Sequence, residues 1–350
     1  MKLTDICDFQ GGSQPPKEEW SNEKQKGYIR MLQIRDFTQS GRVTPEYIKL
    51  SKSTKVCEAD DILIARYGAS VGKILTGLAG AYNVAIMRTI PDTNRIQKKY
   101  LYYYLKSFYF QKAILNVGSR AAQAGFNKED LSKLDIECPN KTKQNEIVRI
   151  LELTESIIEK RYAELESLDN LIKARFVEMF GDVKYGTERW GGKPFKDITI
   201  NLDSKRKPVK GADRKKMQGI YPYYGATGIV DYVNDYRQDG EFLLISEDGK
   251  ALELRSKPIA FLASGKIWVN NHAHVQQCTD ECNMVYLMYH INFMDISIWV
   301  TGIDQKKLNR ANLDTIPIAL PPIELQEQFA DFVNQVNKSK VTKQIDSPIS

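Results

Sequence analysis

No stretch of this chain stays apolar over anything near the roughly 18 residues that a membrane-spanning helix needs. Met1 to Phe9 has no apolar core of the kind a secretory leader carries, so a cytoplasmic location with no membrane partner is the expectation. Cysteine is sparse. Cys7, Cys57, Cys138, Cys278 and Cys282 are odd in number and scattered, which fits reduced thiols and speaks against a disulfide framework. Apolar residues are not lacking: at 42% they exclude a disordered chain, and 350 residues suffice for two domains with their own cores. There is also no Asn-Pro-Pro-aromatic box of the kind used in amino methylation. Tyr221-Pro222-Tyr223-Tyr224-Gly225 lacks both the asparagine and the paired prolines.

Proline and glycine are absent together from one long stretch, Lys141 to Phe180. Within it Leu151, Ile158, Leu165, Ile172 and Met179 recur at steps of seven, and Ile147 opens a second, partly apolar row through Thr154, Arg161, Leu168 and Arg175. One clean heptad seam predicts a long helix packed against another helix. Asn140 is a suitable N-cap and Gly181 a suitable stop. At ~1.5 Å per residue such a helix spans roughly 60 Å, longer than an ordinary globular helix.

The net charge of +6 is unevenly spread. Residues 1–140 hold 21 Lys/Arg against 15 Asp/Glu, residues 141–182 hold 7 against 9, residues 183–322 hold 19 against 16, and the remainder 3 against 4. Basic lobes joined by a mildly acidic helix suit a polyanion held at two places; the plain alternative is solvated surface.

Both flanking regions mix short strands and helices, which predicts an α+β class. Residues 60–68 and 81–91 read as strands, 97–116 as a helix, and 126–139 as a short helix followed by a strand. After Gly181 the pattern repeats. EFLLISEDG (241–249) answers DDILIARYG. Gly265-Lys266-Ile267 answers Gly72-Lys73-Ile74, and Asn271 answers Asn83. Residues 283–293 answer the tyrosine-rich helix. A shift of 182 pairs Gln123 with Gln305, Asn127 with Asn309, Leu131 with Leu313, Pro139 with Pro321 and Gln144 with Gln326. It brings Ile147 and Leu151 onto Phe329 and Val333, with Val336 continuing the second helix's apolar row, while Lys340 and Lys343 interrupt it. The unit is a lobe plus a helix, used twice, too long a period for a solenoid.

This layout, with the phrases YIRMLQIRDF (28–37), DDILIARYGASVGKI (60–74), FNKEDLSKLDIECP (126–139), ISEDGKA (245–251) and ASGKIWVNNHAHV (263–275), resembles the specificity subunit of type I restriction–modification systems. The resemblance covers nearly the whole chain. It implies two similar mixed α/β target recognition domains separated by long helices that form an antiparallel coiled coil. It implies domains at 1–140 and 183–322, helices at 141–182 and 323–345, and a tail at 346–350. It implies binding to a split double-stranded DNA site and recruitment of methyltransferase and restriction subunits. Catalysis would lie in those partners, with no cofactor in this chain and S-adenosylmethionine on the methyltransferase. The shortened second helix departs from the family pattern.

Base reading calls for Arg, Asn and Gln at groove edges, while Lys and Arg on phosphates set the register. The candidates in lobe one are Arg66, Tyr67, Ser70 and Lys73, after a strand, and Arg120, Gln123 and Asn127, in a polar loop. In lobe two they are Lys205, Arg206, Lys207, Lys210, Lys215 and Lys216, within a basic run expected to be a flexible loop, and Ser264, Lys266, Asn271, Gln305 and Lys306 as counterparts. Three other motifs are weak. GASVGKI has the wrong glycine spacing for a phosphate loop. His272, His274, Cys278 and Cys282 match no usual zinc spacing, so no metal is expected. Asp235, Asp248 and Lys250 only loosely imitate a magnesium nuclease. The rival readings are that nuclease and a coiled-coil scaffold that binds no DNA.

Overall fold

The structure is a computed structural model that describes residues 1–39, 41–118, 125–183 and 189–345. The chain divides into two compact units, Met1–Lys160 and Arg161–Ser350, and the division falls inside its longest helix.

Unit one holds, in chain order, β1 (Cys7–Gly11), β2 (Trp20–Ser21), β3 (Tyr28–Leu32), α1 (Ile34–Thr38), β4 (Glu46–Lys49), β5 (Val56–Cys57), β6 (Leu63–Ala65), β7 (Ile74–Leu75), β8 (Gly80–Tyr82), β9 (Ile86–Pro91), α2 (Lys98–Lys106), α3 (Phe108–Gly118), α4 (Lys128–Ser132) and the first half of α5 (Lys141–Phe180). The strands form two sheets, β1-β9-β6-β7 and β2-β4-β3-β8-β5. The core lies between the first sheet and the helices, where Ile62, Ile64, Met87, Leu101, Leu105, Phe110 and Ile114 are buried.

Three expectations for this region are corrected. The stretch 81–91 is two strands, because Asn83 Oδ1 accepts the Ala85 amide at 3.2 Å and breaks the run. The stretch 97–116 is two helices, which part at the extended residue Ser107. Past α4 the chain makes only an isolated bridge, Asp135 to Lys2, and no ladder strand.

Unit two holds the second half of α5, then β10 (Gly192–Pro194), β11 (Thr199–Asn201), α6 (Gly211–Arg214), β12 (Gln218–Gly225), β13 (Gly228–Val233), β14 (Gln238–Ser246), α7 (Lys250–Leu254), β15 (Ala260–Val269), β16 (Ala273–Cys278), α8 (Met284–Phe293), α9 (Arg310–Thr315), β17 (Pro317–Ala319) and α10 (Ile323–Ile345). The main sheet runs β11-β16-β14-β15-β12-β13.

The ladders decide the internal repeat. Ala65 pairs with Ile86 as Ser246 pairs with Ala273, and Ile64 pairs with Ile74 as Ile245 pairs with Ala260. Leu32 lies beside Tyr82 in parallel register as Tyr224 lies beside Val269. By this register Lys73 corresponds to Ile259, not to Lys266, and the counterpart of Asn83 is Asn270, not Asn271. Asn270 makes the same turn, its Oδ1 accepting the His272 amide at 2.8 Å. The likeness of the two Gly-Lys-Ile phrases misled because a short phrase carries no register, whereas a slip along a strand changes which face each side chain occupies.

The long helix begins at its asparagine cap, Lys143 N donating to Asn140 Oδ1 at 2.9 Å. It stops at Gly181, whose φ of +88° suits glycine and whose amide closes the last turn on Val177 O at 2.8 Å. In unit two its second half packs antiparallel on α10. Phe176 and Phe180 lie 5.3 and 5.6 Å from Phe329, while at the other end Arg161 donates to Lys340 O at 2.7 Å and Lys340 pairs with Asp169 at 2.5 Å. Ile172, Met179, Phe329, Val333 and Val336 are buried, and Leu165 is half-buried. In the first half Ile147 and Leu151 are half-buried and Ile158 is 48% exposed, so the seam is not uniformly covered.

Candidate nucleic-acid interface

In unit one, Arg66 and Tyr67 follow β6. Arg66 lies over the Tyr67 ring at 4.9 Å, and its Nε donates to Phe126 O at 3.3 Å. Gly125 backs directly onto that ring, where a Cβ would come within 2.4 Å of it. Arg66 therefore spends at least part of its donor set on the fold. Ser70 closes the turn beyond it, its carbonyl accepting the Lys73 amide at 3.0 Å. Lys73 is exposed and has no acidic partner among the described residues. Asn127 is the N-cap of α4, exchanging bonds with Asp130 in a capping box, and Asn309 caps α9 by accepting the Asn312 amide at 2.9 Å. This capping role explains why the two asparagines repeat. Arg120 and Gln123 lie outside the described residues.

The sequence reading missed a set of free cations in this unit. Among the described residues Lys24, Lys26, Lys49, Lys52 and Lys55 have no acidic partner, unlike Arg30, Arg35, Arg88 and Lys98, which do. Lys26 and Lys49 lie at the same end of β3 and β4, where Leu50 N donates to Gly27 O at 2.9 Å and Tyr28 faces Lys49. The available signal was a run from 24 to 55 in which lysines outnumber the acids left to pair with them.

In unit two, the basic run 205–216 is tied to its surroundings at several points. Tyr223 Oη accepts the Val209 amide at 2.9 Å, Trp268 Nε1 donates to Lys207 O at 2.7 Å, and Arg214 donates to Val209 O at 2.6 Å and to Asp231 at 3.0 Å. Arg206 is turned inward onto Glu247 at 2.6 Å and Asp203 at 3.2 Å. His274 sits between Asp203, 2.7 Å from Nδ1, and Leu308 O, 2.8 Å from Nε2. Burial opposes ionisation of Asp203, yet the His274 hydrogen bond, the Val275 amide and the Arg206 charge hold its carboxyl below the ordinary value. Glu247 is likewise buried and likewise held low, by Arg206 and Lys307. These groups form a scaffold from which Lys205, Lys207, Lys210, Lys215 and Lys216 stand exposed, without acidic partners among the described residues. Exposed ammonium groups carried on one tethered segment can neutralise phosphates.

The remaining lobe-two candidates lie on β15, beside the Asn270 turn and in the loop before Lys307. Lys266 lies over the Tyr236 ring at 4.8 Å. Ser264 lines a groove of about 830 Å³ with Glu241, Asp280 and Glu327, a setting that repels phosphate. Asn271 is exposed beside the Asn270 turn. Gln305 and Lys306 sit in the loop closed by Thr301 and Lys307, with Lys306 O accepting the Gly249 amide at 3.2 Å. Asp248 is engaged by His272 at 2.8 Å. Among the described residues no group of three or more His, Cys, Asp or Glu could hold a metal ion. No helix among them is long and apolar enough to cross a membrane.

Two lobes that share the strand order β1-β9-β6-β7 and β11-β16-β14-β15, each leading into a long helix, define a duplicated protein. The family model for the type I restriction modification DNA specificity domain matches residues 1–167 and 188–349, and the chain belongs to that family. It is 37% identical over 142 residues to a Haemophilus influenzae protein assigned as a type I restriction enzyme specificity subunit; the match covers 41% of this chain and 36% of that relative. It is 22% identical over 359 residues to the EcoprrI specificity subunit of Escherichia coli, covering 96% and 86% of the two chains. The chain thus spans about a third of the first relative's length and most of the second's. Its fold matches the S subunit of the M. genitalium type I system, with a TM-score of 0.58, 15% identity and coverage of 99% and 91%. It also matches a chain from a structure of type I restriction–modification complex assembly, with a TM-score of 0.52, 14% identity and coverage of 98% and 93%.

Proposed function

We propose that this chain is the non-catalytic DNA-recognition subunit of a type I restriction–modification complex. Each lobe reads one half of a split double-stranded site. The long helices hold the halves apart and carry the methyltransferase and restriction subunits, with S-adenosylmethionine bound on the methyltransferase. The observation that carries this reading is the repeat itself: two lobes with one ladder register, each entering a long helix at the same point. The five free lysines on the pinned 205–216 segment supply phosphate contacts in lobe two. Lys73 and the lysines between 24 and 55 supply them in lobe one. Half-sites one DNA turn apart are roughly 34–36 Å centre to centre, and a helix of roughly 60 Å can brace that separation.

The nuclease reading has less support, because Asp248 is occupied by His272 and stands in no metal-binding group. The test is to coexpress the chain with its partner methyltransferase and map the methylated adenines. A bipartite motif supports the proposal. Methylation without a motif, or cleavage or methylation by the purified chain alone, overturns it. A gel shift on random duplex should weaken steeply with salt; no shift at low salt favours the scaffold.

A further inference from the structure

Gln144 and Gln326 are each the fourth residue of a long helix, each wholly buried, and each bonded in the same way. In unit one, Gln144 Oε1 accepts the backbone amide of Gln97 at 2.7 Å, and its Nε2 donates to Pro139 O at 2.7 Å and Arg95 O at 2.9 Å. In unit two, Gln326 Oε1 accepts the backbone amide of Asn283 at 2.8 Å, and its Nε2 donates to Pro321 O at 2.8 Å and Glu281 O at 3.1 Å. Gln97 and Asn283 are the N-caps of α2 and α8. In both units, then, one amide ties three pieces together: the long helix, the chain leaving the lobe, and the start of the lobe's own main helix.

An apolar side chain could fill either place. Its contacts would be non-directional and would tolerate rotation or tilt of the helix. Three hydrogen bonds from one planar amide do not, since each weakens steeply as its angle departs from linear. Buried polar groups are best attested in this role, fixing register where packing alone would leave it open. We infer that Gln144 and Gln326 are positioning residues that fix the angle at which each lobe leaves its helix, and so set the half-site separation the chain accepts. This rests on the bipartite-DNA reading above.

The experiment uses the full-length chain with Gln144→Met, Gln144→Leu, Gln326→Met and Gln326→Leu. Binding is measured on duplexes carrying the site found by selection, with the spacer changed one base pair at a time. The wild type is expected to prefer one spacer. The folded variants are expected to keep binding at that spacer while discrimination against its neighbours falls about ten-fold, or roughly 1.4 kcal/mol. Variants with unchanged spacer preference overturn the inference. So do variants that all fail to fold, because the glutamines would then be stability elements alone. A wild type with no spacer preference removes the bipartite reading instead, which keeps the two failures distinct.

Discussion

Arg206 and Glu247 are joined at 2.6 Å across 41 residues of sequence, both largely buried, and that bond separates the two kinds of cation in the basic run. Arg206 anchors the segment; the neighbouring lysines face outward. Arg206→Ala should therefore lower unfolding stability by about 1–3 kcal/mol, because Glu247 loses its closest partner while buried. Denaturant titration checks this.

The exposed lysines should behave oppositely. Replacing Lys205, Lys207, Lys210, Lys215 and Lys216 by Gln should leave the melting temperature nearly unchanged and weaken binding on all sequences alike. Each lost phosphate contact should reduce the slope of log affinity against log salt by about 0.9. A lost preference for one sequence with an unchanged slope would place base reading on them instead.

Lobe two should lose stability as pH falls. His290 is buried among Phe176 and Tyr286, its Nε2 accepts the Ala319 amide at 3.1 Å, and burial lowers its pKa to about 3. An unfolded histidine titrates near about 6.5. Between these values the unfolded chain binds more protons, so stability is full above about 6.5 and declines as pH drops toward 3. Asp203 and Glu247, also held low, add a loss in the same direction below the ordinary carboxylate range. Urea midpoints measured at pH 7.5, 6.5 and 5.5 should fall in that order, and His290→Gln should flatten the series.

Phe329 is the centre of the α5–α10 contact, edge-on to Phe176, Phe180 and Tyr289. Phe329→Ala should cost about 3–5 kcal/mol. Hydrogen exchange should show α10 losing protection. Protection that stays intact would mean the helix is held by its polar contacts with Arg161 and Asp169.

The corrected register makes adjacent asparagines unequal. Asn270→Ala removes the turn acceptor and should destabilise by about 1 kcal/mol, as loss of a local side-chain acceptor does. Asn271→Ala should leave stability unchanged. Thermal melts of the two variants decide it.

Much of this was legible beforehand. The seam of heptads, its asparagine cap and its glycine stop identified α5, because helix periodicity and end signals are local. The 182-residue repeat exposed Gln144 with Gln326 and Asn127 with Asn309, since identical local jobs keep identical residues. Ranking the site residues was another matter. Nothing local distinguishes Arg206, turned inward, from Lys205 and Lys207 on either side of it.

The amino-acid order alone determined the duplicated lobe-and-helix plan, because periodicity, capping and repetition are written along the chain; the class of protein followed from its resemblance to a known family. Only the tertiary structure decided which strand residues correspond between lobes, which cations among the described residues lack an acidic partner, and that one amide in each unit ties helix to lobe. Those depend on strand register and on partners dozens to more than a hundred residues away in sequence, as between Gln97 and Gln144 or Met1 and Ile136. No local pattern encodes such pairings.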